Sequence, residues 1–307
     1  MRAAIIGAVE STQVGLEAVG RAQGWEAALV LTLHAELAAR HSDFVDLAPV
    51  AAQVGARLYK VRNVNDPDAL EQLRAAAPDV ILVIGWSQIC GEGVSACAPG
   101  RIIGYHPAAL PRLRGRAVIP WTILNREPIT AGSLFWIDEG VDTGAILDQY
   151  FFHVGSMETA EGLYAKHMQA LALMLDRTLP AIAAGRERHD PQDEALATWA
   201  ARRTAEDGRI DWTARAQDIA LLVRAVGRPY PGAFTMAGKD GAGQDRLVIW
   251  SAKAIDGTGH HAKAGQVVTR HGDGFAVMCG DGNLLDITEW SSATGRLPAA
   301  HQRLGAL

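Results

Sequence analysis

The run Asp79–Trp86 (DVILVIGW) constrains the fold more than any other segment of the chain. It is apolar at almost every position rather than at every second one, which is typical of a strand that is covered on both faces. Such strands belong to parallel sheets with helices on each face, whereas antiparallel sheets commonly leave one face to solvent. The run therefore predicts a central strand of a parallel sheet.

The rest of the first 150 residues repeats an alternation of strands and helices. Apolar runs that predict strands cover residues 3–8, 28–34, 57–61, 130–137 and 145–154, and helical patterns begin near residues 17, 47 and 69. Strands that alternate with helices form βαβ units in an open sheet. We therefore predict the α/β fold class, with an open, mostly parallel sheet.

The composition changes at residues 191–208, which are charged and weakly apolar, so we interpret them as a linker. The chain after the linker contains short strands separated by Gly and Asp. Their spacing of about ten residues is typical of a small β-barrel. The sequence thus predicts a domain over residues 1–190, a linker over 191–208 and a barrel domain over 209–307.

Charge and composition narrow the class of protein. The 307 residues carry a net charge of −5, which argues against binding nucleic acid through a basic surface. No run approaches the ~18 consecutive apolar residues of a membrane span. The N-terminus has one Arg and a short apolar run that Glu10 interrupts, a poor match to a signal peptide.

The cysteines and histidines give no metal-ligand pattern. Cys90, Cys97 and Cys279 form neither a ligand set nor a disulfide framework, which suits a reducing compartment. His260 and His261 are adjacent, and we interpret them as exposed loop residues. We therefore expect a soluble, cytoplasmic protein that binds no metal and contacts no membrane.

The segment 106–144 contains the residues best placed for catalysis. His106 ends a predicted strand, and open α/β sheets bind ligands beyond the carboxyl ends of their strands. Asp142 lies in a turn with Gly144. A His and an Asp on neighbouring loops can form a general acid–base pair. Each also has a structural alternative, because a lone His often serves the core and Asp beside Gly favours a turn.

Two motifs in this segment carry a family resemblance. The run HPAALPRLRGRAVIPW from His106 and the run DEGVDTG from Asp138 resemble the 10-formyltetrahydrofolate-dependent formyltransferase family. This family includes methionyl-tRNA formyltransferases, amino-sugar N-formyltransferases and the hydrolase domain of formyltetrahydrofolate dehydrogenase. IDW at 210–212 and PYPGAF at 229–234 resemble the family's C-terminal part, so the resemblance covers most of the chain. It implies a Rossmann-like formyltransferase domain followed by an OB-like barrel.

The resemblance also implies the catalytic residues. The family uses an Asn-x-His pair and an Asp; His106 and Asp142 match the last two, and Gly104 stands at the Asn position. In the family, His and Asn bind the formyl oxygen as it becomes an oxyanion, and one such donor contributes about 3 kcal/mol. A water, Tyr105 or a substrate group would have to replace the Asn. The hydrolase domain also lacks this Asn, so hydrolysis stays open.

The implied chemistry is attack by an amine on the formyl carbon of 10-formyltetrahydrofolate, the co-substrate. Asp142 would take the amine proton, directly or through water, while it holds His106 charged. His106 would stabilise the oxyanion and donate a proton to the departing folate nitrogen.

The folate site is implied by two loops. Trp86, Ser87, Gln88 and Ile89 follow the strongest strand and resemble the loop that lines the family's pterin pocket. We expect backbone groups there, and in the turn that consists of Asp138, Glu139, Gly140 and Val141, to bind the pterin edge. For Trp86, ordinary core packing is an equal alternative.

Three arginines, Arg112, Arg114 and Arg116, lie within five residues. Beside a catalytic crevice they would bind an anionic acceptor such as a nucleotide-sugar diphosphate, with Tyr105 in the same substrate site. Their alternative role is to cover the surface or pair with carboxylates. The run Gly115-Arg116-Ala117 matches the transferases better than the hydrolase domain, which favours transfer.

Methionyl-tRNA is an unfavourable acceptor for this chain. Residues 40–54 correspond to the basic loop of the tRNA enzyme but contain no basic cluster, and a tRNA acceptor arm demands one. We therefore expect no nucleic-acid partner. We expect the barrel to pack on the catalytic domain or on a second subunit of a homodimer, with Trp250 and Trp290 in its core.

Three hypotheses follow for the function. The first is an N-formyltransferase whose acceptor is a small-molecule amine, either a nucleotide-linked amino sugar or an amino-acid-derived metabolite such as hydroxyornithine. The second is a 10-formyltetrahydrofolate hydrolase. The third is a non-catalytic folate-binding protein.

Overall fold

The computed structural model describes residues 1–40, 43–238 and 245–305. The described chain divides into two compact units. The first unit comprises Met1–Val118, Ile129–His153 and Tyr164–Ala201, and the second comprises Ile119–Pro128, Val154–Leu163 and the described part of Arg202–Leu307. Residues 41 and 42, which belong to the segment compared above with the basic tRNA loop, lie outside the described residues.

The first unit is built on a seven-stranded sheet in the order β3-β2-β1-β4-β5-β7-β8. Its strands are β1 (Arg2–Ile6), β2 (Glu26–Leu33), β3 (Arg57–Val61), β4 (Val80–Val83), β5 (Ile102–His106), β7 (Ile129–Trp136) and β8 (Ile146–His153). The strands from β3 to β5 run parallel, and β7 is antiparallel to both β5 and β8. The predicted α/β class with an open, mostly parallel sheet is confirmed.

Both faces of this sheet are buried, as the apolar run at 79–86 predicts. Successive residues of β1 enter different clusters: Ala3 and Ile5 pack on one side, and Ala4 and Ile6 pack on the other. All four side chains are fully buried. This alternation follows from the two-residue period of a strand and requires helices on both faces.

Seven α-helices accompany the strands within the described ranges. They are α1 (Glu10–Arg21), α2 (Ala48–Val54), α3 (Pro67–Ala76), α4 (Glu92–Ser95), α5 (Val118–Leu124), α6 (Ala160–Ala183) and α7 (Ala216–Ala225). The first helix begins at Glu10 rather than near residue 17. Its first turn contains two buried polar residues, Ser11 and Thr12, and the Thr12 hydroxyl donates to the Ile84 carbonyl at 2.7 Å.

The segment interpreted as a linker contains regular structure. Residues 194–196 and 205–208 form 3₁₀ helices, and β9 (Trp199–Ala200) pairs in parallel with β6 (Arg114–Gly115). Gly115 has φ of 105°, and a Cβ there would lie 2.5 Å from the Ala200 carbonyl oxygen. Only glycine fits this close approach, so the pairing depends on Gly115.

The second unit contains a five-stranded antiparallel sheet in the order β10-β11-β14-β13-β12. Its strands are β10 (Ala233–Ala237), β11 (Asp245–Ile255), β12 (Val267–His271), β13 (Gly274–Met278) and β14 (Leu284–Ser291). Trp250 and Trp290 are only half-buried, so the expectation that both lie in the core is wrong. Their indole N–H groups donate to Ser291 and Asp273, polar partners near the surface.

The described residues offer neither a membrane span nor a cluster of metal ligands. Across the ranges 1–40, 43–238 and 245–305, no helix combines the length and apolarity that a bilayer crossing needs. Within the same ranges, no three His, Cys, Asp or Glu side chains converge as metal ligands would. His260 and His261 are exposed.

Candidate active site

His106 occupies the carboxyl end of β5 and is 5% exposed. Its Nε2 lies 2.7 Å from the carbonyl oxygen of Leu113. Its Nδ1 lies 3.5 Å from Oδ2 of Asp142. Because each ring nitrogen faces an acceptor oxygen, the imidazole is held in one orientation, and the structure brings His106 and Asp142 together.

Asp142 is fixed by its backbone as well as by its carboxylate. Its φ is 56°, in the left-handed region that Asp and Asn tolerate better than most residues. The same carboxylate oxygen that faces His106 accepts a hydrogen bond from the Gly115 N–H at 2.8 Å. A side chain in this state is aimed before any ligand arrives, which favours catalysis by preorganisation.

The loop that carries Asp142 starts far from His106. Because β7 is antiparallel to β5, its last residue, Trp136, pairs with Ile103 rather than with His106. Three residues of a strand span roughly 10 Å. The loop between β7 and β8 must therefore fold back along the sheet to bring its carboxylate to the end of β5.

Burial lowers the pKa of His106 below its usual range, although the Asp142 carboxylate and the Leu113 carbonyl act in the opposite direction. This corrects the expectation that Asp142 keeps the ring charged, because desolvation of the buried imidazole outweighs the attraction of a carboxylate 3.5 Å away. The Leu113 carbonyl can only accept, so Nε2 donates to it. The other ring nitrogen, Nδ1, faces Oδ2 of Asp142.

The side of Gly104 where the family has its Asn is filled. A Cβ at this position would lie 2.7 Å from both Cε1 and Cζ of Phe135, and 3.2 Å from Cγ1 of Ile137. Phe135 is 5% exposed and pairs with Gly104 across β5 and β7. An aromatic ring therefore occupies the space of the absent amide, and it supplies no N–H donor for an oxyanion.

The loop after β4 combines a half-buried anchor, Gln88, with an exposed tip. The Gln88 side chain accepts from the Val64 N–H at 3.1 Å and donates to the Arg62 carbonyl at 2.9 Å. Ile89 is 81% exposed. Trp86 packs against the core, yet its Nε1 is buried with no hydrogen-bond partner in the described part of the chain. Both suggestions for Trp86, core packing and a place in the pocket, thus remain compatible with its position.

The turn after β7 is exposed and internally braced. Asp138 accepts hydrogen bonds from the Gly140 N–H at 3.0 Å and from the Thr143 hydroxyl at 2.7 Å. Glu139 is exposed, and Val141 is 62% exposed. The turn therefore presents backbone groups and an apolar side chain to solvent.

The three arginines differ sharply in their surroundings. Arg112 and Arg116 are exposed, and Arg116 donates to the carbonyl of Ser87, in the loop after β4, at 3.3 Å. Arg114 is only 1% exposed, and its guanidinium forms an ion pair with Glu194 at 2.6 Å. Arg114 thus has the alternative role named above, pairing with a carboxylate. The guanidinium groups of Arg112 and Arg116 lie at the surface.

Tyr105 points away from His106, because successive residues of a strand face opposite sides of the sheet. Its hydroxyl lies 3.0 Å from Nδ1 of His167 and donates to the His167 carbonyl at 3.2 Å. Burial raises the pKa of the Tyr105 phenol and lowers the pKa of His167 to about 3. The structure therefore places Tyr105 with a buried histidine rather than with the His106–Asp142 pair.

Several groups that contact or surround the site were not predicted from the sequence. They are the backbone groups of Leu113 and Gly115, the ring of Phe135, and the side chains of Gln192 and Glu194. The first two lie inside the recognised motif but act through backbone atoms, which no residue type reveals. Gln192 and Glu194 lie in a charged stretch without periodicity, where nothing marks one polar residue over its neighbours.

Solved structures share this architecture. The N-formyltransferase from Helicobacter canadensis, crystallised with folinic acid and dTDP-3-aminofucose, is similar with a TM-score of 0.64 at 15% identity, over 93% of this chain and 98% of that one. WlaRD, a sugar 3N-formyl transferase solved with dTDP and 5-N-formyl-THF, gives a TM-score of 0.62 at 17% identity, over 94% and 97%. At such identities the likeness establishes the fold alone.

A longer protein also contains this fold. HypX from Aquifex aeolicus, solved with tetrahydrofolic acid, is similar with a TM-score of 0.66 at 16% identity, over 94% of this chain and 44% of HypX. The chain thus spans less than half the length of HypX.

Family models match both parts of the sequence. Residues 202–302 match the formyl transferase C-terminal domain, and residues 1–178, which include the whole His106–Asp142 arrangement, match the formyl transferase domain itself. Because the match over residues 1–178 covers more than half of its length, the chain belongs to the formyl transferase family.

Proposed function

We propose that the protein transfers a formyl group from 10-formyltetrahydrofolate to the amine of a small molecule. The observation that carries this proposal is the His106–Asp142 pair, with the two side chains 3.5 Å apart and the carboxylate fixed by the Gly115 N–H. General acid–base catalysis needs such a pair within reach of one proton. The membership in the formyl transferase family supports the type of reaction.

The residues around the pair fit a folate. Bound 10-formyltetrahydrofolate would supply a formyl group attached to a nitrogen that can leave. The apolar side chains of Ile89 and Val141 are strongly exposed on the two loops expected to line its pocket. The buried Nε1 of Trp86 lacks a partner among the described residues, as a donor reserved for a ligand would. All three structural relatives described above were solved with folates.

In this proposal the pair moves one proton. As the amine nitrogen bonds to the formyl carbon, Asp142, with Nδ1 of His106 beside it, accepts a proton from that nitrogen. As the bond between the formyl carbon and the folate nitrogen breaks, Asp142 passes this proton to Nδ1 of His106, and His106 delivers it to the folate nitrogen. One amine N–H is lost and one folate N–H is gained, so the pair ends in the protonation state in which it began.

The proposed acceptor is a nucleotide-linked amino sugar or, as the second choice, an amino-acid-derived amine. Arg112 and Arg116 are exposed beside the motif, where a diphosphate can reach them, whereas Arg114 is buried against Glu194. The Helicobacter canadensis relative was solved with dTDP-3-aminofucose, and WlaRD with dTDP. An acceptor of this class is small and anionic.

Hydrolysis of 10-formyltetrahydrofolate is the second candidate. It is favoured by one observation, the ring of Phe135 in the space where the family's transferases have an amide. Without that donor, the site resembles the hydrolase domain more closely at this position. Water would then replace the amine as the nucleophile, and formate would be released.

The test is turnover of 10-formyltetrahydrofolate with and without amino-sugar nucleotides and hydroxyornithine, with each product followed by mass. Transfer is supported if an acceptor gains a formyl group with the wild-type protein and gains none with the Asp142→Asn variant. Formate release that no amine changes supports hydrolysis. Folate binding without consumption contradicts both. His260→Asn, a change at an exposed histidine, is the matched control and keeps the wild-type rate.

A further inference from the structure

The side-chain amide of Gln192 connects the Asp142 loop to a buried arginine. Its Nε2 donates to the carbonyl of Asp142 at 2.9 Å and to the carbonyl of Gly144 at 2.7 Å. Its Oε1 accepts from Nε and Nη2 of Arg114 at 3.1 and 2.8 Å. Both hydrogens of the amide nitrogen are used, and the oxygen has two donors, so the amide has one orientation.

The guanidinium of Arg114 is itself fixed by contacts with Glu194 and Trp199. Its Nη1 and Nη2 donate to the two carboxylate oxygens of Glu194 at 2.9 and 2.6 Å. The guanidinium carbon also lies 5.9 Å from the ring centre of Trp199. Paired, planar contacts of this kind fix a guanidinium in place. These hydrogen bonds lower the pKa of Glu194, which keeps its charge.

We propose that Gln192 and Arg114 are positioning residues that hold the Asp142 carboxylate in its working orientation. The inference rests on the proposed function, because it assigns a task to the same pair. Arg114 locks the amide of Gln192, and the amide fastens the backbone on both sides of Thr143. The Gly115 N–H then fixes the carboxylate itself.

The left-handed backbone of Asp142 explains why such a hold is needed. A non-glycine residue with φ of 56° is strained and keeps that conformation only when its surroundings impose it. The Gln192 bonds to the carbonyls of Asp142 and Gly144 impose it from one side. Without them the loop can relax, and the carboxylate would leave Nδ1 of His106.

The amide chemistry makes the proposal specific. Glutamate at position 192 has nearly the same shape, but its oxygens cannot donate to the carbonyls of Asp142 and Gly144. Gln192→Glu therefore keeps a partner for Arg114 and loses both bonds to the loop. Gln192→Ala loses the same bonds without adding a charge. Together, the two variants separate the effect of losing the two hydrogen bonds to the loop from the effect of adding a charge.

The first experiment compares kcat and KM for formyl transfer in these variants. We expect kcat to fall by about 10- to 100-fold, as for a catalytic group displaced by roughly 1 Å, with the KM for folate near its wild-type value. In the Asp142→Asn background, Gln192→Ala causes no further loss, because the carboxylate that it orients is already gone. Gln217→Glu, at an exposed position on α7, is the matched control.

The second experiment does not depend on catalysis. It measures the pKa of the His106 imidazole by NMR titration, as a report on the position of the Asp142 carboxylate. Since the Asp142 carboxylate raises the pKa of this ring, its displacement in Gln192→Ala lowers that pKa further. Glu194→Gln, at a side chain that is 66% exposed, loosens Arg114 with little risk to folding and shifts the titration in the same direction by a smaller amount.

The outcomes separate this inference from the proposed function. A wild-type titration of His106 in both Gln192→Ala and Glu194→Gln overturns the positioning role. A loss of kcat from Gln192→Ala that is as large in the Asp142→Asn background as in the wild type overturns it as well. If the wild-type protein forms no formylated product with any amine, the proposed transfer fails. The shift of the His106 pKa still decides the positioning role in that case.

Discussion

The ring of Phe135 lies beside Gly104, with two ring carbons 2.7 Å from the point where a Cβ at position 104 would stand. The two residues are direct partners across β5 and β7. Phe135 packs with Leu110 and Ile146 in a small buried cluster, so its ring has little room to move aside. Gly104 and Phe135 are therefore complementary in size, because the ring occupies the space that a side chain at position 104 would fill.

Restoring the Asn alone is expected to fail. In Gly104→Asn the new side chain collides with Phe135, and overpacking of this kind costs about 1–3 kcal/mol of the free energy of unfolding. Urea unfolding measures the cost. We expect the double variant Gly104→Asn/Phe135→Ala to recover part of the stability and to transfer formyl groups faster than Phe135→Ala. A single Gly104→Asn variant with wild-type stability would contradict this packing argument.

Asp142→Asn separates the charge of the carboxylate from its place in the loop. Asn tolerates the left-handed backbone and can still accept from the Gly115 N–H, so we expect the stability to change little. Turnover is expected to fall about 100- to 10,000-fold, the usual contribution of a general base. Steady-state kinetics and thermal unfolding of the same samples test both parts. Asp142→Ala, which loses the contact as well, should be less stable than Asp142→Asn.

The buried His167 predicts an acid-sensitive fold. Its pKa is about 3 in the folded protein against an ordinary value of 6.5, because burial disfavours its charged form. Between these values the unfolded chain binds a proton that the folded chain does not. Stability is therefore full above pH 6.5 and is lost as the pH falls toward 3, at up to about 1.4 kcal/mol per pH unit.

The variant His167→Asn tests this assignment. Its amide can keep a hydrogen bond with the Tyr105 hydroxyl, as Nδ1 of His167 does at 3.0 Å, but it does not titrate. Denaturant unfolding between about pH 4 and pH 7 should show a shallower loss of stability in the variant than in the wild type. If the free energy of unfolding falls equally with pH in the two proteins, His167 contributes nothing to the loss of stability in acid.

Arg116 is expected to bind the anionic part of the acceptor. Arg116→Gln should raise the KM of an amino-sugar nucleotide by about 10-fold, the loss of one charge-assisted hydrogen bond, and leave the KM for folate within a small factor. Arg57→Gln is the control, because Arg57 is also exposed and also donates from Nη2 to a backbone carbonyl. Equal effects of both changes would point to a general effect of surface charge.

The sheet could be predicted because burial on both faces leaves a pattern in the sequence. The run at 79–86 is continuous in its apolar character, and β4 lies within it, in the middle of the sheet. The start of α1 could not be predicted in the same way. Its first turn contains Ser11 and Thr12, which look like loop residues but are buried, with Thr12 bonded to a neighbouring carbonyl.

The candidate site was predictable only where a residue type reveals its chemistry. A histidine and an aspartate in recognised motifs led to His106 and Asp142. The sequence cannot tell which charge Arg114 meets, because its partner Glu194 is 80 residues away along the chain. It also cannot tell which effect on a pKa dominates, since the burial of His106 is a property of the packed fold.

The pairing of β6 with β9 has a consequence for any attempt to shorten or recombine this protein. A chain cut after residue 190 keeps His106 and Asp142, yet it loses Gln192, Glu194 and the strand against which Gly115 lies. We therefore expect a chain that ends at residue 190, the domain boundary that the sequence predicts, to lose the proposed activity. A shortened protein that keeps these contacts has to extend through Ala201, where the first compact unit ends.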